Sequence, residues 1–257
     1  MSLRDVSPKT LFIVVAVVAM ACIVQYSIIA YYMLKTYSIF GDLRCRHVLT
    51  KNMLDQVEFS LLVLSISCIS YGATLLLIPV IVLMKRKWSR LGDLGFIVIA
   101  ISYIVASCML IYGGIMLRGY LDTFHNQCLV AWNAYGEDPE EGIELIFEAI
   151  DGLKNNVLIY IRLGLIICFY AHMIAIWGVV IGEESGKKIS IGFLLLGIGH
   201  LLLAHPVPIV SWVSILGYLY WLYGVWKFKE SFPIRRKRCS KLLLNKNRDN
   251  QSLETLL

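Results

Sequence analysis

Five stretches of this chain run for twenty or more predominantly apolar residues, and charged clusters separate each from the next. A helix needs about 20 such residues to cross roughly 30 Å of hydrocarbon. The stretches are about Leu11–Leu34, Phe59–Met84, Leu94–Leu117, Val157–Gly182 and a long final run, Ile189–Trp226. As one helix the last would measure about 57 Å at ~1.5 Å per residue, too long for a single crossing. His205-Pro206-Val207-Pro208 falls where it would divide. Each proline removes an amide donor and pushes the residue before it out of the α region. The sequence therefore predicts a tight re-entering hairpin, with arms Ile189–Ala204 and Val207–Trp226. The expected fold class is all-α, a polytopic membrane bundle of six spans over residues 1–226, with a basic tail over residues 227–257.

Composition agrees. Apolar residues are 58% of the chain, charged residues 16%, and the mean hydropathy is +0.70. Soluble domains carry about 25% charge. These values exclude a disordered chain, a nucleic-acid-binding domain and a small disulfide-stapled module. Lys and Arg then set the orientation. With both termini inside, 17 of the 24 basic residues lie inside and six outside, and Arg162 falls within a span. The expectation is a plasma-membrane protein with both termini cytoplasmic. The first apolar run exceeds the 7–15 residues of a signal-peptide core, so it reads as a retained span.

Two outer loops are sizeable, about Lys35–Val57 and Arg118–Asn156. The second is acidic and contains a helix signal: Asp138 as N-cap, Pro139 at the first position, and Glu141 placed to close a capping box. Ile143, Ile146, Phe147, Ile150 and Leu153 recur at helical spacing opposite the carboxylates. Pro139–Leu153 therefore reads as an amphipathic helix lying against the outer end of the bundle. Its carboxylates form a solvated face with the means to attract a cationic partner.

Of seven cysteines, only Cys45 and Cys128 fall in the outer loops, and in an oxidising compartment they are the natural disulfide pair. Ionisable groups at membrane depth are few. Glu58 opens the second span and Arg162 lies about 8 Å into the fourth, which offers an ion pair or simple snorkelling to the headgroups. His172 and His200 both fall about 15–16 Å from the inner surface on neighbouring antiparallel spans. Two imidazoles at matched depth are what a haem b would require. Adjacent helices packed 8–10 Å apart argue against it, and an interhelical hydrogen bond is the simpler role for each.

Gly178 and Gly182 form a GxxxG that permits close helix approach, within the chain or at an oligomer seam. Arg235, Arg236, Lys237 and Arg238 form a cluster suited to anionic inner-leaflet lipid. There is no Walker loop, HExxH pair, GxSxG elbow or dinucleotide-binding glycine pattern. The sequence thus points to a non-enzymatic membrane subunit, scaffold or accessory factor, with a protein partner or a second copy and no resident cofactor. Two alternatives stand beside it. One is a small-solute transporter or channel lined by His172, His200, Tyr170 and serines. The other is a haem b electron carrier through His172 and His200.

Overall fold

A computed structural model describes residues 8–79, 92–178, 184–204, 213–224 and 226. Among them the chain is helical, without strands. In chain order the helices are α1 (Pro8–Arg46), α2 (Lys51–Leu75), α3 (Gly92–Glu137), α4 (Pro139–Leu153), α5 (Ile159–Gly178), α6 (Glu184–Ala204) and α7 (213–224). A five-residue π-helical turn, Lys154–Leu158, joins α4 to α5. Four helices are long and apolar enough to cross a membrane: Ile13–Arg46, Lys51–Pro79, Ile97–Glu137 and Pro139–Ile176. The protein is therefore a membrane-embedded helical bundle. The apolar stretch Ser190–Ala204 is shorter.

The segments expected as outer loops are not loops. α1 continues to Arg46 and α2 starts at Lys51, so only residues 47–50 connect them. α3 is 46 residues long, about 69 Å and more than twice the hydrocarbon thickness. The reason is in the pattern beyond Leu117. Tyr120, Leu121, Phe124, Cys128, Ala131 and Tyr135 keep the helical period and are buried or half-buried, while Asp122, Asn126 and Glu137 stay exposed. The bundle thus extends into a helical head, whose buried residues Phe40, Leu43, Leu54, Val57, Phe124 and Ile150 are continuous with the bundle core.

Two local devices close the head. Thr50 caps α2, its hydroxyl accepting from the Met53 amide at 3.2 Å. Before it, His47 adopts φ 51°, a left-handed residue that ends α1 and costs about 1–2 kcal/mol without glycine. At the other reversal Asp138 is the single non-helical residue between α3 and α4. Its carboxylate accepts from the Glu140 and Glu141 amides at 2.9 and 3.4 Å. Its own N–H goes to the Ala134 carbonyl at 2.7 Å, so that donor continues the α3 ladder rather than closing a capping box through Glu141. Gly142 makes the reversal tight enough, because a Cβ there would lie 2.5 Å from the Tyr135 backbone.

The amphipathic helix stands where the spacing placed it, but upright rather than flat. Ile143, Ile146, Ala149, Ile150 and Leu153 are buried and α4 packs along the extension of α3. The π turn advances the helical phase, so the buried stripe carries on through Val157, Leu158 and Ile161 into α5.

Below the head, glycines set the crossings. A Cβ on Gly72 or Gly114 would meet the facing backbone of α3 or α2 at 2.8 Å, and one on Gly113 would lie 3.0 Å from the Ile161 amide of α5. α6 and α7 are antiparallel. Gly192 faces Trp221, Leu196 faces Gly217, and Gly199 faces Ser214.

Candidate functional site

Two buried histidines and four buried tyrosines gather at one level, where α1, α2, α3, α5, α6 and α7 meet. His172 comes from α5 and His200 from α6, 1% and 0% exposed. Their rings stack at 5.0 Å between centroids and 27° between planes. Four tyrosines surround them. Tyr71 lies 5.9 Å from His200, nearly parallel to it, and Tyr26 lies 5.1 Å away at a tilt. Tyr103 meets His172 edge-on at 5.4 Å. Tyr218 reaches in from α7, and its hydroxyl lies 2.7 Å from that of Tyr71.

Hydrogen-bond chemistry fixes the direction of this network. His200 Nδ1 is 2.6 Å from the Leu196 carbonyl, which can only accept, so Nδ1 carries the proton. Nε2 of the neutral ring is then an acceptor, and Tyr71 donates to it at 2.5 Å. Having spent its proton there, Tyr71 accepts from Tyr218. Tyr26 donates separately to the Gly199 carbonyl at 3.0 Å. His172 Nδ1 likewise donates to the Cys168 carbonyl one turn back at 2.5 Å.

The result ties α1, α2, α6 and α7 into one unit through bonds that hydrocarbon cannot replace. Three groups at this level are left out. The Tyr103 hydroxyl, the Gln25 Oε1 and the Ser214 Oγ facing Gly199 are buried without a hydrogen-bond partner, although Gln25 Nε2 donates to Ser70 at 2.7 Å.

This geometry bears on the haem alternative. A porphyrin lies between its two axial imidazoles, whereas these rings touch face to face and His200 Nε2 is taken by Tyr71. The two histidines as they stand do not fit that group. Among the described residues no three His, Cys, Asp or Glu side chains gather as a metal site. Tyr170, considered above as a path-lining residue, faces outward and is 58% exposed.

The remaining sequence candidates are dispersed. Glu58 and Arg162 do not meet each other. Both carboxylate oxygens of Glu58 lie 2.9 Å from His125 Nδ1 on α3. Arg162 donates to the Tyr37 hydroxyl, with its guanidinium 5.6 Å from that ring. Cys45 is an exposed free thiol near the end of α1, and Cys128 is a free thiol buried on α3 in the head. Gly178 ends α5, whereas Gly182, His205 and the Arg235, Arg236, Lys237 and Arg238 cluster lie outside the described residues.

Sequence reasoning singled out the two histidines and passed over Tyr26, Tyr71, Tyr103 and Tyr218. The available signal was depth. Each of these tyrosines sits away from the charged ends of its apolar run, where an aromatic belt would have placed it. Comparison with protein-family models, curated proteins and solved structures finds no match for this chain.

Proposed function

We propose that this chain is a non-enzymatic subunit or accessory factor of a membrane assembly, and that its helical head is the docking element. One observation carries the reading. α3 passes without a break from the apolar bundle into the head, where α4 folds back on it and exposes Glu140, Glu141, Glu144, Glu148 and Asp151 along one side. A rigid, charged projection built on a membrane bundle suits a cationic protein surface. The closed direction of the Tyr218–Tyr71–His200 chain favours a structural core over an open path.

In this proposal the chain makes six crossings, with α6 and α7 as the last two, and their antiparallel packing supports that count. Both termini are cytoplasmic, the head is outside the plasma membrane, and the basic tail of residues 227–257 lies on anionic inner-leaflet lipid at about 1 kcal/mol per basic residue near the surface.

The test is affinity purification from native membranes in mild detergent. A stoichiometric partner should co-purify and be lost when Glu140, Glu141, Glu144 and Glu148 are changed to Gln, with helicity and thermal stability retained. A chain that purifies alone, or a partner indifferent to those charges, defeats the reading. Small-solute passage has one observation in its favour, the orphan Tyr103 hydroxyl beside His172. Solute flux through liposomes holding the purified protein, abolished by Tyr103→Phe, would establish it instead.

A further inference from the structure

Tyrosines that face lipid belong near the interface, where the ring is buried and the hydroxyl is wet. Tyr31 and Tyr112, 59% and 45% exposed, follow that rule. Tyr31 packs edge-on against Tyr32, which packs against Phe59, and Tyr112 packs against Tyr160. These groups form two aromatic clusters around the bundle just below the head. Tyr170 breaks the rule. It lies ten residues beyond Tyr160 on α5, about 15 Å further along the axis and near the middle of a ~30 Å hydrocarbon layer. Even leaning toward the helix N-terminus, its side chain falls short of the interface. Yet it is 58% exposed, and its recorded ring contact is with its neighbour Phe169 at 5.1 Å. A hydroxyl held in hydrocarbon without an acceptor is strongly disfavoured.

We infer that the outward face of α5 around Tyr170 is the contact surface for a second copy of this chain, related by a two-fold axis along the membrane normal. The choice of occupant follows from the chemistry. Such an axis brings each residue to its own counterpart at equal depth. A tyrosine hydroxyl both donates and accepts, so two Tyr170 side chains satisfy each other. Leu163, two turns earlier on the same stripe and 39% exposed, supplies apolar contact beside it, as does half-buried Ile174. A lipid tail offers no acceptor at this depth. The inference requires only that α5 crosses the bilayer, and it stands apart from the accessory-factor reading and its acidic head.

Cysteine crosslinking in native membranes tests it. Tyr170→Cys should give an oxidised dimer well above the wild-type background set by the existing cysteines. Ile104→Cys on α3 and Ile198→Cys on α6, exposed at 43% and 36% on other faces, should not. A second measurement uses the intact packing surface: energy transfer between labelled copies in liposomes at increasing dilution. Tyr170→Phe keeps the ring, removes the hydroxyl and should weaken self-association about 3- to 20-fold, the span of measured interhelical hydrogen bonds in membranes. Failure to crosslink at position 170, equal crosslinking on all three faces, or unchanged association of Tyr170→Phe would overturn it. So would capture of a different protein at position 170 in place of a second copy.

Discussion

Changing Tyr71 to Phe removes one oxygen and disturbs two bonds. The hydroxyl donates to His200 Nε2 at 2.5 Å and accepts from Tyr218 at 2.7 Å, and all three residues are at most 1% exposed. Phe keeps the ring and its near-parallel contact with His200, so packing loss is small. What remains is a buried imidazole nitrogen without a donor and a buried phenol without an acceptor. By soluble-protein measures each costs about 1–3 kcal/mol. The membrane-inserted unfolded state also finds partners for such groups, and interhelical bonds in bilayers average only about 0.6 kcal/mol. We therefore expect a loss of about 1–3 kcal/mol.

Tyr218→Phe should cost less, about 0.5–1.5 kcal/mol, because Tyr71 can still donate to His200 and loses only an incoming proton. The double variant should fall short of the sum, since Tyr218 has already lost its acceptor when Tyr71 is changed. Reversible SDS unfolding in mixed micelles, followed by circular dichroism, gives all three values. If Tyr218→Phe costs more than Tyr71→Phe, or the two costs add fully, the donor direction assigned from the Leu196 carbonyl is wrong.

Three further outcomes are expected. Gly142→Ala should loosen α4 from α3 at a cost of about 1–3 kcal/mol, because its Cβ meets the Tyr135 backbone; hydrogen exchange should rise in α4 and not in α5, and unchanged protection would refute the tight reversal. Cys45 should alkylate at once in unreduced protein, whereas Cys128, 1% exposed, should react only on unfolding; if Cys45 is blocked until a reductant is added, the Cys45–Cys128 bridge forms. Exchanging the charges of Glu58 and Arg162 should not restore the stability lost in the single reversals, because their partners are His125 and Tyr37. Removing His125 should instead make Glu58→Gln neutral, with the coupling about 0.2–1 kcal/mol at this partly exposed site; rescue by the Glu58–Arg162 exchange would reinstate that pair.

Features governed by contact with water are written in the residues themselves. Run length identified apolar helices. Asp138-Pro139 marked the start of α4, and the isoleucine spacing gave its buried face, because that helix has water on one side and protein on the other. The same period continued past Leu117 into Tyr120, Phe124 and Cys128, so the long α3 was also legible there, though charges among those residues suggested a loop.

Inside the apolar bundle that logic fails. Val17 is 63% exposed and Val18 is 3% exposed, yet both are valine, because lipid and protein interior are equally apolar surroundings. No periodicity then separates the inward face from the outward one. It is the folded bundle that turns Tyr71 in to His200 and Tyr170 out, and that gives Glu58 His125 rather than Arg162. Those choices depend on helix rotation, which the close glycine crossings set and a span's own composition leaves free.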